Sequence, residues 1–134
     1  MSSLTVRQVI QDELETYLAS ASVNFVETVN IDSGNTPNSP WATVSFTSYG
    51  NENFSFEAGK GRETGAADIY VYVRAGQGDS IAVGIADGLA IHFNGFSSGD
   101  VVVVNVAPPN EATAGQGLGG WYGVLVSLDY QYYY

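Results

Sequence analysis

His92 is the only histidine of the chain, and it is the first residue to consider for catalysis because imidazole can accept a proton near neutral pH. A hydrolase would pair it with a serine and an acid, yet the sequence contains no Gly-x-Ser-x-Gly nucleophile elbow. The segment His92-Phe-Asn-Gly95 matches no metal motif, and the chain offers no second histidine or cysteine as a ligand. We therefore expect His92 to lie at the end of a helix, where its charge suits the negative end of the helix dipole.

Paired carboxylates are a second possible source of acid and base chemistry, as in glycosidases. The candidate pairs are Asp12-Glu13 and Glu52 with Glu57. Because fourteen Asp and Glu are spread over 134 residues, such pairs are expected by chance, and we predict that they are solvated surface. The segment Asp32-Ser-Gly-Asn35 resembles the start of a calcium loop, but its twelfth position is Thr43 and not a glutamate.

Two glycine-rich segments have some features of phosphate-binding loops. Gly59-Lys60-Gly61-Arg62 lacks the Gly-Lys-Ser/Thr that a P-loop needs between a strand and a helix. Gly76-Gln-Gly-Asp79 lacks the third glycine of the dinucleotide fingerprint, so a turn followed by a helix cap explains it better. The sequence thus predicts no catalytic residue, no metal site and no cofactor.

The charge balance excludes several classes of partner. Four Lys and Arg stand against fourteen Asp and Glu, which gives a formal net charge of -10. Four basic residues cannot neutralise the phosphates of a nucleic acid or the headgroups of an anionic membrane, so we expect neither as a bound partner. The absence of cysteine permits a reducing compartment, and the N-terminus has no signal-peptide pattern, so we expect a protein made and kept inside a cell.

The first half of the chain predicts one helix and a sheet. Apolar residues recur at helical spacing over Thr5 to Ala19, and a short extended piece follows from Asn24 to Asn30. The run Asp32 to Pro40 is rich in turn formers and predicts a surface loop. Alternation over Trp41 to Thr47 predicts a strand. A second, shorter run at Asn53 to Glu57 predicts its hairpin partner, with Tyr49 to Asn53 as the turn.

The second half predicts a mobile loop, three strands and a second helix. The loop is Ala58 to Gly65, which contains three glycines, and the clearest strand follows from Ala67 to Arg74. The helix runs from Asp79 or Ser80 to Phe93 and ends at Asn94-Gly95. We expect the buried side of this helix to consist of Ile81, Ile85, Leu89 and Phe93. Gly84 and Gly88, four residues apart, are expected to let the helix pack closely against a neighbouring surface.

Two further strands close the chain. The valine-rich run Asp100 to Val106 predicts a strand buried on both faces, and Trp121 to Tyr132 alternates like a second one. The connection Pro108 to Gly120 is predicted to be a long loop. The order α-β-β-β-α-β-β over residues 1–134 therefore predicts a single α+β domain with a mixed, mostly antiparallel sheet and two helices on one face.

Four tyrosines near the end of the chain suit an interface, because tyrosine combines an apolar ring with a polar tip. Two interpretations stay open: an edge strand that packs on its own sheet, or a contact between subunits. Together with the basic loop, they give the candidate interface residues Lys60, Arg62, Glu63, Tyr130, Tyr132 and Tyr134.

The order of the elements and three local signatures resemble the small bacteriophage tail terminator, or tail completion, proteins. The first signature is the basic glycine-rich loop before Asp68-Ile-Tyr-Val-Tyr-Val73 and Ala75-Gly-Gln-Gly78. The others are Ile85-Ala-Asp-Gly-Leu-Ala-Ile-His-Phe93 and Trp121-Tyr-Gly-Val-Leu-Val-Ser-Leu-Asp-Tyr130. With the N-terminal helix and Pro40-Trp41, the resemblance spans nearly the whole chain, and the ordered set carries it.

The resemblance implies a virion protein without catalytic residues. It implies a homo-oligomeric ring, usually a hexamer, at the head-tail junction of a phage assembled in the host cytoplasm. Such a ring halts polymerisation of the tail tube protein and presents a docking surface to the head connector or stopper protein. It also implies a flexible loop between the second and third main strands, which maps here to Ala58 to Gly65 and orders on assembly. Genomic DNA then passes through the lumen without specific binding.

The charge fits that resemblance. Six copies would carry a formal charge of 6 × (-10) = -60, and an acidic lumen would let DNA slide because like charges make no adhesive phosphate contacts. Lys60 and Arg62 would pair with acids of a neighbouring subunit. The alternatives are another head-tail joining or tail tube component, or a small cytoplasmic hydrolase or ligand-binding module that uses His92 or a carboxylate pair.

Overall fold

The computed structural model describes residues 4–25, 40–53, 61–74, 79–111 and 121–134. Two helices and seven strands make up these residues. In chain order they are α1 (Leu4–Ser20), β1 (Asn24–Phe25), β2 (Trp41–Asn53), β3 (Gly61–Arg74), α2 (Asp79–Phe93), β4 (Ser97–Ser98), β5 (Val101–Val106), β6 (Asn110–Glu111) and β7 (Trp121–Tyr133).

The strands form one sheet in the order β1-β2-β3-β7-β5-β4, with β6 paired to β7 off that path. Only β1 and β2 run parallel, and every other described pair is antiparallel. The sheet is therefore mixed and mostly antiparallel, as the sequence predicts. Its longest pairing joins β3 to β7, from Arg62 opposite Tyr133 to Arg74 opposite Trp121.

Both helices pack on one face of this sheet, which confirms the α+β prediction. α1 lies over β1 and β2, whereas α2 lies over β7, β3 and β5. Every second residue of a strand points to the same face, so β3 and β7 supply two matching rows to the core. The rows are Ala67, Ile69, Val71 and Val73 from β3, opposite Leu128, Val126, Val124 and Tyr122 from β7.

The core also collects a stripe from each helix. α1 buries Val6, Ile10, Leu14 and Leu18, which have no exposed surface. α2 buries Ala82, Ala86, Leu89 and Phe93. The predicted stripe of α2 was therefore wrong at Ile81, which is 45% exposed. The buried stripe begins one residue later, because two alanines bring the helix close to the sheet.

α1 ends in a Schellman motif closed by a serine. The N–H of Val23 donates to the carbonyl of Leu18 over 2.9 Å, and the N–H of Ser22 donates to that of Ala19 over 3.3 Å. Ser22 adopts a φ of +60°, the left-handed conformation that glycine usually takes at this position. The hydrogen bonds at the helix end thus hold a serine in an uncommon conformation.

The pairing of β2 corrects the predicted hairpin. Tyr49 to Asn53 is not a turn, because β2 continues through it and pairs with β3 down to Asn53 opposite Gly61. A bulge between Ser48 and Gly50, where Gly50 has a φ of +149°, absorbs the irregularity. The proposed partner strand at residues 54–57 lies outside the described residues.

β3 corrects the predicted mobile loop in the same way. The strand begins at Gly61, so the segment from Gly61 to Gly65 is ordered between β2 and β7. Residues 58–60, which include Lys60, lie outside the described residues. The glycines indicated a loop in isolation, but two flanking strands supply all the backbone partners that a strand needs.

β5 corrects the prediction of a strand buried on both faces. Val101 and Val103 face the core, but Val104 is 51% exposed. Alternation alone places Val104 on the face away from Val103, and the bulge between Val103 and Asn105 then returns Val106 to the core opposite Leu128. One face of the valine run therefore packs on the core, whereas the other face is partly exposed.

Candidate subunit interface

The two segments that the sequence nominates for an interface meet at one end of the sheet. Arg62 pairs with Tyr133, and Glu63 pairs with Tyr132. Two further hydrogen bonds close this end, because the N–H of Gly61 donates to the carbonyl of Tyr134 over 2.9 Å and the return bond spans 3.0 Å. We call this region the tyrosine end. It contains the described candidates and the neighbouring Tyr133: Arg62, Glu63, Tyr130, Tyr132, Tyr133 and Tyr134. Of the six candidates, only Lys60 lies outside the described residues.

Tyr130 and Glu63 form the interior of the tyrosine end and do not face outward. Tyr130 is 1% exposed and Glu63 is 5% exposed. The Tyr130 hydroxyl donates a hydrogen bond of 2.7 Å to Glu63 Oε2. The nomination of these two residues as a contact surface is therefore corrected: both lie on the helix-covered face of the sheet, where their own subunit buries them.

Gly65 allows Tyr130 to occupy that position. The two residues are opposite each other, and a Cβ at Gly65 would collide with the Tyr130 hydroxyl and lie 2.7 Å from its Cζ. A tyrosine ring laid across a glycine in a neighbouring strand covers backbone that would otherwise lack side-chain cover. The glycine that suggested a loop is thus the residue that admits the aromatic ring.

The surface of the tyrosine end belongs to the last tyrosines. Tyr133 is 38% exposed and Tyr134 is 36% exposed, whereas Tyr132 is half-buried. The rings of Tyr132 and Tyr134 lie 5.7 Å apart, and the Tyr133 hydroxyl donates to Gln131 Oε1 over 2.5 Å on the opposite side of the sheet. Sequence reasoning missed Tyr133. Strand alternation, which places it on the face away from Tyr132, was the signal that could have found it.

The place of β7 in the sheet bears on one of the two interpretations of the tyrosines, that of an edge strand. β7 is an interior strand, flanked by β3 on one side and by β5 and β6 on the other. The prediction of an edge strand is therefore wrong. The exposed tyrosines lie at the end of an interior strand, so neighbouring strands hold their backbone on both sides.

The face of the sheet away from the helices carries a second aromatic group, in which Trp41 and Tyr72 are buried. Tyr72 stacks on Trp41 with ring centroids 4.5 Å apart, and Tyr70 lies 6.4 Å from Tyr72. Burial raises the pKa of Tyr72, with a smaller contribution from Tyr70. Burial also raises the pKa of Tyr70, followed by the negative charge of Asp68. Both phenols therefore stay neutral to higher pH than a solvated tyrosine.

His92 lies in the last turn of α2, as predicted, and contacts α1. Its Nε2 lies 2.7 Å from Glu13 Oε1, and both side chains are 33% exposed. The imidazole ring also lies 4.7 Å from the Tyr17 ring, at a 34° angle. His92 and Glu13 are 79 residues apart in the sequence, so no local pattern could have predicted their contact.

The described contacts of His92 are with α1, through Glu13 and Tyr17. Three shallow grooves of about 570, 310 and 280 Å³ occur on the described surface, and neither His92 nor Glu13 lines any of them. Among the described residues, no three His, Cys, Asp or Glu side chains are grouped so as to hold a metal ion. No described helix has the length and apolar character needed to cross a membrane.

Comparisons with known proteins support the fold and do not assign a function. No family model matches the chain, and no curated protein matches it. A solved structure of a hypothetical protein is similar, with a TM-score of 0.53 and 16% identity over 96% of each chain. At that identity the likeness concerns the fold alone.

Proposed function

We propose that this chain is a virion structural protein that forms a ring on the phage tail tube, ends its polymerisation and provides the docking surface for the head connector. The observation that carries the proposal is the tyrosine end, where two segments nominated separately from the sequence lie side by side. Tyr133 and Tyr134 give this end an exposed aromatic surface of the kind that protein interfaces favour. An interior strand holds both of them in place.

The fold supports the proposal in a second way. The resemblance to tail terminator proteins implies a mixed sheet with two helices, and the chain has that architecture over nearly its whole described length. The implied flexible loop fits less well, because its second half is the start of β3. Any segment that becomes ordered on assembly is therefore shorter than the sequence indicates.

In this proposal the protein is placed at the head-tail junction of the virion after assembly in the host cytoplasm. Its partners are further copies of itself, the tail tube protein and the head connector or stopper protein. Genomic DNA passes through the ring, and the formal net charge of -10 keeps it from adhering. No catalytic residue or cofactor is needed for this role.

The test combines native mass spectrometry with electron microscopy. Purified protein is weighed over a concentration series, then mixed with tail tube protein and imaged. We expect one ring per tube end and tubes that stop growing. A single monomer mass together with tubes that are never capped would contradict the proposal, and long tubes made of this chain itself would indicate a tail tube subunit instead.

A matched pair of variants connects the test to the tyrosine end. Tyr133→Ser with Tyr134→Ser should weaken capping, because it removes exposed aromatic area from the proposed contact. Ile81→Ser serves as the control, since Ile81 is 45% exposed near the start of α2, which follows the opposite end of β3. Equal capping by both variants would remove the tyrosine end from the proposal.

The basic residues are tested separately. If Lys60 and Arg62 pair with acids of a neighbouring subunit, Lys60→Glu with Arg62→Glu should prevent ring formation, because it sets like charges against each other. Intact rings would rule out that pairing. That result would not affect the proposed role of Tyr133 and Tyr134, which the capping experiment with the serine variants tests.

A small hydrolase is the second candidate function, and the pairing of His92 with Glu13 is the observation in its favour. His92→Gln distinguishes the two roles, because a catalytic histidine would be needed for any hydrolytic turnover and a helix link would not be needed for capping. Full capping by the variant, with no change in hydrolysis of a panel of ester and peptide substrates, would exclude this candidate.

A further inference from the structure

The outward side of α2 and the adjoining bulge of β5 form an apolar surface. Three of the eight large apolar side chains that are exposed in the described residues lie there: Val83, Ile91 and Val104. Ile91 is 77% exposed and Val104 is 51% exposed, and both line one groove of about 310 Å³. We call Val83, Gly84, Asp87, Ile91 and Val104 the α2 face. Grouped apolar exposure of this kind marks a contact surface.

Nothing among the described residues packs on the α2 face at Gly84. In that part of the chain, a Cβ at Gly84 would meet no heavy atom within 4 Å. A glycine in a helix costs about 1 kcal/mol relative to alanine, so Gly84 destabilises α2 with no compensating close contact among the residues that the structure describes. A second molecule packed closely against α2 would account for a glycine at this position.

Charge favours a second copy of this chain as that neighbour. Two copies with a formal net charge of -10 each repel, so they can associate only through surface that carries few carboxylates. From Ser80 to Phe93 the only acid is Asp87, and β5 has no charged residue. The α2 face therefore lets two acidic molecules approach with little repulsion.

The start of α1 offers a complementary surface on the opposite side of the same molecule. Leu4 is 69% exposed and lines a groove of about 280 Å³ with Arg7 and one acid, Asp12, so the two charges of the groove balance. The Arg7 guanidinium lies 5.1 Å from the centre of the Phe46 ring. Because α1 lies over β1 and β2 while the groove beside Ile91 adjoins β5, the two surfaces lie toward opposite edges of the sheet. Different surfaces on opposite sides produce head-to-tail contacts, which close into rings when the rotation permits.

We propose that the start of α1 of one copy docks on the α2 face of the next, with Leu4 between Ile91 and Val104 and Arg7 facing Asp87. The spacing fits, because Leu4 to Arg7 spans three residues of helix and Ile91 to Asp87 spans four, about 4.5 and 6 Å along the axes. This inference rests on the proposed function for its closed ring. It assigns the apolar contact within the ring to the two helices, beside any charge pairs of Lys60 and Arg62, and leaves the exposed Tyr133 and Tyr134 for neighbouring rings.

Cysteine cross-linking tests the contact directly, because the chain contains no cysteine of its own. A disulfide forms only where two Cα atoms come within about 4.4–6.8 Å. The variant Leu4→Cys with Ile91→Cys should give a ladder of linked multimers under mild oxidation, at least about tenfold more than Leu4→Cys with Ala19→Cys, since Ala19 is exposed on α1 outside the contact.

The single variants separate two kinds of contact. Leu4→Cys alone and Ile91→Cys alone should give no linked product beyond the control, because each cysteine faces a different residue of the neighbour. Dimers from Ile91→Cys alone would mean that two α2 faces meet symmetrically, which would overturn the proposal. Control-level linking by every variant would also overturn it.

A charge exchange provides a second measurement that does not depend on oxidation. Arg7→Glu should weaken self-association about tenfold, because it faces Asp87 with a like charge, and adding Asp87→Arg should restore it. Circular dichroism checks that the variants are folded. No restoration by the double variant would contradict the predicted pairing of Arg7 with Asp87.

The capping experiment separates this inference from the proposed function. Tubes that are still capped by protein that gives no ladder would remove the helix contact and keep the tail role. A strong ladder from protein that never caps tubes would keep the contact and remove the tail role.

Discussion

The side of α2 that faces away from the sheet differs between its two glycines, which lie one turn apart along it. α1 covers Gly88 so closely that a Cβ there would collide with the Tyr17 hydroxyl. One turn earlier, a Cβ at Gly84 would meet nothing within 4 Å in the described residues. The same residue type thus satisfies a close approach at one position and remains unexplained at the other. A glycine therefore indicates function only after its surroundings are known.

Leu89→Ala and Ile91→Ala should give the largest contrast, because Leu89 lies on the side of α2 that faces the sheet and Ile91 on the outer side that faces away from it. Leu89 has no exposed surface, so its truncation should lower the free energy of unfolding by about 2–5 kcal/mol. Ile91 is 77% exposed, and its truncation should change that free energy by no more than about 0.5 kcal/mol. Urea denaturation of both variants measures this, and comparable losses would show that the outer side is not open.

Gly88→Ala should be the next largest effect. Overpacking against Tyr17 costs about 1–3 kcal/mol, which exceeds the roughly 1 kcal/mol that the helix propensity of alanine returns. Because the Tyr17 hydroxyl is the atom in the way, the same change in a Tyr17→Phe background should be neutral or stabilising. A double-mutant cycle measures the coupling. Additive effects would mean that the hydroxyl does not limit the packing.

Gly84→Ala should have the opposite sign. The isolated chain should gain about 0.5–1 kcal/mol of stability, since alanine loses less backbone entropy and meets no neighbour. At protein concentrations where copies associate, the same variant should associate less well if a second copy packs closely on this helix. Thermal melting at low concentration and sedimentation at high concentration give the two readings. A loss of stability would show that Gly84 is needed within the subunit.

The pairing of Glu13 with His92 should give the smallest effect. Both side chains are 33% exposed, and ion pairs at such positions contribute only about 0.2–1 kcal/mol. Glu13→Gln and His92→Gln, alone and together, should show a coupling of that size that shrinks as salt is added. A coupling that persists at high salt would point to ring packing against Tyr17 as the main interaction.

Local patterns predicted the helices well because their signals are local. Apolar spacing placed the first helix at Thr5 to Ala19 against the observed Leu4–Ser20, and capping signals placed the second at Asp79–Phe93. The start of β3 could not be predicted in this way. Its glycines favour a loop in isolation, and only pairing with β2 and β7, together with Tyr130 across Gly65, makes it a strand.

The candidate site was predicted in part for a related reason. Composition identified the tyrosines and the basic segment, but it could not show that Tyr130 and Glu63 bond each other in the interior. That depends on which face each residue occupies, and a face is assigned only when the strand register is known. The contact between Glu13 and His92 depends on how two helices pack, which no spacing within either helix encodes.

The interior place of β7 has a consequence for how the molecule folds. The residues of β3 that pair with β7 precede it by roughly fifty to seventy positions in the sequence. The central pairing of the sheet therefore costs the entropy of closing a long loop before its contacts can stabilise the chain. Until residues 121–133 have been synthesised, β3 and β5 lack the strand that joins them. β2 and β3 are synthesised earlier and are each other's partners, whereas the sheet is completed late, and a nascent chain exposes two strand edges in the meantime.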